Sequence, residues 1–216
     1  MPGVKPETRR PYRSAVREES ARRTRQAVVT AATGLFTSRG YAATSLADVA
    51  RVAGVARPTV FAAFGSKPAL LARVLDEAIS GDDEPVAVRD RPWFRPVFDA
   101  TEPGAVLDAY AGVCVLIAQR AAPVFEAVRR AADAATEVSD LWQRVLDNRV
   151  AGARMVLDHL VTVGTLRTGL PVDRAVDALW VLNDPSLHAS LVGRRGWAEA
   201  EFRAWLAGQI RAALLG

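Results

Sequence analysis

Few residues of this chain are of the types that catalyse reactions. There are two histidines, His159 and His188, and one cysteine, Cys114. No Gly-x-Ser-x-Gly, phosphate loop or paired-cysteine metal motif accompanies them. Cys114 sits in the apolar run Ala109 to Ala118, without the cationic neighbour that activates a thiol. The reading is a chain that is not an enzyme and carries no cofactor and no metal. Redox sensing through Cys114 stays open as a variant. The spacing that does carry chemistry runs from Thr44 to Lys67, TSLADVARVAGVARPTVFAAFGSK. Ser45 three residues before Asp48 forms a capping box that starts a helix near Leu46. Ala50 leaves room for a close helix crossing, Gly54 suits a left-handed turn, and Val60 fills the angle from a second helix, Arg57 to Phe64. Arg57, Thr59, Ala62 and Ala63 are then free to face outward, as on a helix laid into a major groove. The same spacing also suits an ordinary αα-hairpin.

The elements around this pair sharpen the reading. The segment Arg25 to Leu75 resembles the DNA-binding head of the tetracycline-repressor (TetR) family. The residues that carry the resemblance are Phe36, Gly40-Tyr41, Thr44-Ser45, Val49-Ala50, Ala53-Gly54-Val55, Thr59-Val60-Phe61 and Phe64-Gly65-Ser66-Lys67. It implies DNA contacts from Thr44, Ser45, Arg57, Pro58, Thr59, Phe61, Ala62 and Lys67. Three positions depart from the family pattern. Ala56 stands where a serine usually caps the recognition helix, Phe61 where tyrosine reaches a phosphate, and Ala63 where histidine or tyrosine does so. The head therefore leans on Arg57, Lys67 and the arginines before it. Arg57 is the candidate to read a guanine edge, with a phosphate contact as its alternative.

Charge is divided unevenly. Residues 1–80 hold thirteen Lys and Arg against six Asp and Glu, a net of +7, while residues 81–216 hold fifteen against eighteen, a net of −3. A basic head beside an acidic remainder fits a polyanionic partner for the head alone. A solvated basic tail accounts for part of the excess. Residues 1–20, with Pro2, Pro6 and Pro11 among charges and no apolar period, are expected to be a disordered arginine-rich arm. Such an arm suits a neighbouring minor groove.

The remainder reads as helical, giving an all-α fold with a three-helix helix-turn-helix head over 21–80 and a ligand-binding and dimerisation domain over 81–216. The polar, proline-interrupted Gly81 to Pro92 is the expected junction. Helices are expected at Trp93 to Phe98, Gly104 to Gln119, Pro123 to Ala135, Glu137 to Val163, Pro171 to Asn183, Asp184 to Val192 and Trp197 to Leu215. The resemblance implies a pocket among them. Candidate lining residues are Phe94, Phe98, Tyr110, Cys114, Ile117, Trp142, Met155, His159, Trp180 and Asn183, which suit a mostly apolar, uncharged effector. Two broad apolar faces, one on Ala178 to Leu182 and one with Phe202, Trp205, Leu206 and Ile210, exceed what one core absorbs. Trp180, Phe202, Trp205, Leu206 and Ile210 are therefore the expected homodimer interface, with an intramolecular helical core as the alternative.

The longest apolar stretch is about half a bilayer span. The N-terminus has charges where a secretory segment needs an apolar run. A cytoplasmic protein without membrane insertion is expected. Together these features imply a ligand-responsive transcriptional regulator of the repressor type, binding a palindromic double-stranded operator as a homodimer and released by a small-molecule effector. A sequence-nonspecific architectural DNA binder is the alternative.

Overall fold

The structure is a computed structural model that describes residues 10–216, with side chains from Val16. Among the described residues there is no strand. Helix α1 (Arg10–Arg39) is followed by α2 (Leu46–Ala53), α3 (Arg57–Phe64) and α4 (Lys67–Ser80). A loop with one 3-10 turn, Val88–Asp90, leads to the short α5 (Arg95–Asp99). The central pair is α6 (Pro103–Ala134) and α7 (Thr136–Val163), then α8 (Val172–Leu182), α9 (Pro185–His188), a π-helical turn Ala189–Arg194, and α10 (Glu199–Leu214).

Helix α1 begins ten residues before the end of the arm expected to be disordered. Glu19 pairs with Arg23 along it at 2.9 Å, and Arg22 reaches Asp83 beyond α4 at 2.6 Å. Residues 1–9 of that arm lie outside the described residues.

Helices α6 and α7 meet at the single residue Ala135 and run antiparallel, so each contributes to two cores. One core joins Val28, Phe36, Val49, Val60, Leu70, Leu71 and Val74 of the head to Val124, Phe125 and Val128 of α6 and Val138 and Leu141 of α7. The other gathers Leu107 and Ala111 of α6, Leu157 and Leu160 of α7, Leu179 of α8 and Leu206 and Ile210 of α10. The head is thus seated on one end of the helical pair, and its core does not stop at the Gly81 junction.

Helix α6 corrects the expectation of two helices, because Pro123 lies inside it. Proline cannot return a hydrogen bond to the carbonyl four residues back. That carbonyl belongs to Gln119, an exposed residue. Meanwhile Ala121, Ala122, Val124 and Phe125 are all buried around the proline, which holds the helix through it. By length and composition α6 is long and apolar enough to cross a membrane, but 56% of its apolar window is buried within the fold. At the end of α7, Gly164 is extended, and the glycine answers a close approach: a Cβ there would lie 2.0 Å from Cγ of Pro103.

Candidate functional site

The helix-turn-helix forms for local reasons. The Ser45 hydroxyl oxygen accepts from the Asp48 amide at 3.1 Å, and the Asp48 carboxylate accepts from the Ser45 amide at 3.1 Å, completing the capping box of α2. Gly54 takes φ 68°, and its amide reaches the Ala50 and Arg51 carbonyls to end the helix. Ser66 caps α4 by accepting from Ala69 at 3.2 Å, whereas Ala56 gives α3 no side-chain cap. Val60 is fully buried and anchors α3, so Arg57, Pro58, Thr59, Phe61, Ala62 and Ala63 all face solvent. Phe61 is 63% exposed, unusual for so large an apolar ring. Arg57 has no ion-pair partner among the described residues, which leaves its guanidinium available to a base edge or a phosphate.

Two of the residues assigned to DNA are turned elsewhere. Thr44 is buried, and its hydroxyl donates to the Gly40 carbonyl at 2.9 Å, closing the turn after α1. Lys67 places Nζ 3.9 Å from the centre of the Tyr41 ring, on the side facing Glu137 of α7. Burial lowers its pKa, with Glu137 opposing. The Tyr41 hydroxyl lies 3.5 Å from Glu137, and burial followed by that carboxylate pushes it up to about 12. Lys67 therefore belongs to the joint between head and body.

Behind the head lies a cavity of about 690 Å³. It is walled by α4 (Leu75, Asp76, Ile79), the loop Val86 to Arg89, α6 (Tyr110, Val113, Cys114, Ile117) and α7 (Leu141, Arg144, Val145, Asn148, Gly152, Met155). Of the candidate ligand residues, Phe94, Tyr110, Cys114, Ile117, Met155 and Asn183 line it. Phe98, Trp142, His159 and Trp180 do not. The Phe98 ring packs edge-on to His159, whose Nε2 lies 3.2 Å from the Ala100 carbonyl, fastening α5 to α7. Trp142 packs on the head core, and Trp180 stacks against the Arg149 guanidinium at 5.4 Å.

One wall of the cavity carries a closed polar network. Asn183 donates to the Tyr110 hydroxyl at 2.9 Å and accepts from Arg149 at 3.0 Å. Arg149 also donates to the Trp180 carbonyl at 2.7 Å and pairs with Asp184 at 3.0 Å. Burial pushes the Cys114 thiol up to about 12, which disfavours the thiolate. Residues missed by sequence reasoning are Asp76, Arg144, Asn148, Arg149 and Gly152, because a search for apolar lining passes over them. A signal existed: Leu141, Arg144, Val145, Asn148, Gly152 and Met155 recur at spacings of one, three and four, a single stripe of α7.

The expected dimer face also needs correction. Phe202, Leu206 and Ile210 are buried within the chain itself, at 2%, 1% and 0% exposure. The intramolecular core absorbs them, since α10 packs on α6 and α8. Trp205 and Trp180 remain partly exposed, and Val181 is 55% exposed.

Comparison with known proteins agrees with this geometry. Residues 28–74, from α1 into α4, match the model of bacterial regulatory proteins of the tetR family. The chain is 27% identical over 176 residues to the HTH-type transcriptional regulator EthR of Mycobacterium tuberculosis, covering 78% of this chain and 76% of that one. The head, residues 28–74, is thus of the tetR-family regulator type. A second, shorter match is the HTH-type transcriptional repressor BdcR of Escherichia coli, 41% identical over 59 residues, which are 27% of this chain and 30% of that one. Most of the chain shares its fold with solved structures. The SmeT–triclosan complex has a TM-score of 0.68 at 17% identity, covering 89% of this chain and 92% of its own. A transcriptional regulator from Saccharomonospora viridis in complex with choline has a TM-score of 0.66 at 18% identity, over 89% and 97%.

Proposed function

We infer that this TetR-family regulator is a cytoplasmic homodimeric repressor that reads a palindromic operator through α3 and is released by a mostly apolar small molecule. The observation that carries the reading is the double allegiance of α4. Leu70, Leu71 and Val74 on α4 are buried in the head core, while Ala72, Asp76, Ile79 and Ser80 line the cavity. A ligand that favours one placement of α4 shifts the head with it, and DNA affinity changes by the difference in ligand affinity for the two placements. Two fold neighbours hold small molecules, triclosan in one and choline in the other, which supports an effector role for a cavity of this size. Val181, Trp180 and Trp205 keep exposed apolar surface, which supports packing of a second copy there. A twofold pair presents two α3 helices and hence calls for a palindrome.

The test is selection of bound sites from a random duplex library by the purified chain at about 0.15 M salt, where nonspecific binding is weak. Enrichment of a palindrome is the expected result. Uniform, steeply salt-dependent binding without enrichment would instead favour a nonspecific architectural role. On the selected site, Arg57→Ala separates base reading, seen as relaxed preference at one position, from phosphate contact, seen as uniform weakening.

A further inference from the structure

The cavity wall holds two opposite charges that have no partner. Asp76 projects from α4 and Arg144 from α7, and both line the space. Asp76 feels the Arg144 charge electrostatically. Even so, among the described residues neither side chain makes a hydrogen bond or an ion pair within 4 Å. The surrounding charges are committed elsewhere. Arg73 donates to Glu77 at 2.6 Å and to the Asp83 carbonyl at 3.1 Å, and Arg149 is held by Asn183, Trp180 and Asp184. Asn148, one turn beyond Arg144, lines the same wall with its amide likewise unbonded. Desolvation by the surrounding protein already raises the pKa of the Asp76 carboxyl, with Arg73 and Arg144 opposing it.

Asp76, Arg144 and Asn148 are solvent-exposed at the mouth of the cavity. An occupant that covered this mouth with hydrocarbon alone would take water from both charges, and unpaired buried charge is costly. A carboxylate would satisfy Arg144 but face Asp76, and an ammonium would do the reverse. A zwitterion would match both but would itself lose the hydration of two charges on entry. A neutral group bearing both donor and acceptor matches the pair at least desolvation cost. We propose that the effector is an amphipathic amide whose hydrocarbon body fills the apolar cavity and whose head donates to Asp76 and accepts from Arg144, with Asn148 as a further partner. This rests on the effector-cavity reading above.

Octanamide, octanoate, octylamine and 2-aminooctanoate share a chain and differ in the head. Titrated calorimetrically into the full chain, octanamide is expected to bind about tenfold tighter than the others, the scale of one hydrogen bond to a charged group. Asp76→Asn is expected to weaken octanamide and tighten octanoate, and Arg144→Gln to weaken octanamide and tighten octylamine. These are rank changes within each variant and do not depend on its folded fraction. Equal binding of all four probes, unchanged in both variants, overturns the amide head while leaving the cavity as an effector site. Preference for a charged or zwitterionic probe also overturns it. Binding of none removes the cavity reading and the inference together.

Discussion

Arg91 and Asp82 close the loop that joins the head to the body. Nη1 of Arg91 reaches both Asp82 carboxylate oxygens, at 2.7 and 2.6 Å, from a side chain only 4% exposed. The same guanidinium donates through Nε to the Val86 carbonyl at 3.1 Å and through Nη2 to that of Glu84 at 2.9 Å. Arg91→Met keeps the buried stem but removes a donor from each of two carbonyls, leaving that of Val86 without this partner while that of Glu84 keeps the Val86 amide at 2.8 Å. At about 0.5 to 1.5 kcal/mol per bond, the carbonyl bonds alone make the expected loss about 1 to 3 kcal/mol, read from urea unfolding. Because Val86 to Arg89 line the cavity, effector affinity is expected to fall as well.

Of α2, α3 and α4, only α3 has an N-cap without a hydroxyl, since α2 has Ser45 and α4 has Ser66. Ala56 is already extended, at φ −72° and ψ 142°, as a cap requires. Pro58 has no amide to offer, and the Thr59 amide already donates to the Ala56 carbonyl at 2.9 Å. Ala56→Ser is therefore expected to stabilise by about 0.5 kcal/mol, the lower end for a cap. An unchanged denaturation midpoint would mean that the carbonyl keeps that donor entirely.

The parts legible in the sequence were those set by neighbours in the chain. The capping box, Gly54 and the limits of α3 depend on side chains within a few residues of each other, so their pattern fixes their geometry. What was not legible depends on distant packing. Pro123 reads as a helix start, yet the buried residues on both sides of it hold one continuous α6. Phe202, Leu206 and Ile210 read as surplus apolar surface until α6 and α8 are seen to cover them. Thr44 and Lys67 match the family pattern, and only the body decides that Lys67 leans on Tyr41 toward Glu137. Asn183 was legible among the polar members of the cavity, but Asp76, Arg144 and Asn148 were not, because charged and amide residues on a helix read as solvated surface until the opposing helix is in place.

Phe61 offers a gain-of-affinity test. Its ring is 63% exposed on the outer face of α3, so a hydroxyl added there costs the fold little. Phe61→Tyr supplies one neutral donor toward a phosphate, about 0.5 to 1.5 kcal/mol, or roughly a two- to tenfold tighter complex with the selected operator. The salt dependence is expected to stay the same, because a neutral contact releases no counterion. Unchanged affinity in a filter-binding titration would place Phe61 away from the DNA backbone.

Gly152 marks open space on the cavity side of α7. A Cβ built there meets nothing within 4 Å, although the residue lies in mid-helix and lines the cavity. Gly152→Ala is expected to stabilise by about 0.5 to 1 kcal/mol through helix propensity alone. Gly152→Leu would occupy the cavity and is expected to keep operator binding while losing release by effector. Retained release in the leucine variant, measured by mobility shift with effector present, would place the ligand elsewhere.

Acid stability follows from Glu126 on α6. Hydrogen bonds from Arg129, at 2.9 and 3.0 Å, and then from Arg130, at 2.6 Å, hold its carboxyl down at about 2 against an ordinary 4.5. A carboxylate depressed in the folded state adds stability that is fully present above its unfolded value and is lost as pH falls through its folded value. The window is therefore about pH 4.5 down to 2. Asp82 and Asp83, lowered by Arg91 and Arg22, titrate in the same direction, so the wild-type curve sums several groups. Glu126→Gln isolates one of them. Its urea midpoint is expected to lie below wild type at pH 7, with the gap closing as pH drops from 4.5 toward 2. High salt is expected to narrow that gap at pH 7, since the three side chains are partly exposed and screened. A gap independent of pH would mean that Glu126 acts through packing and not through its charge pairing with Arg129 and Arg130 along α6.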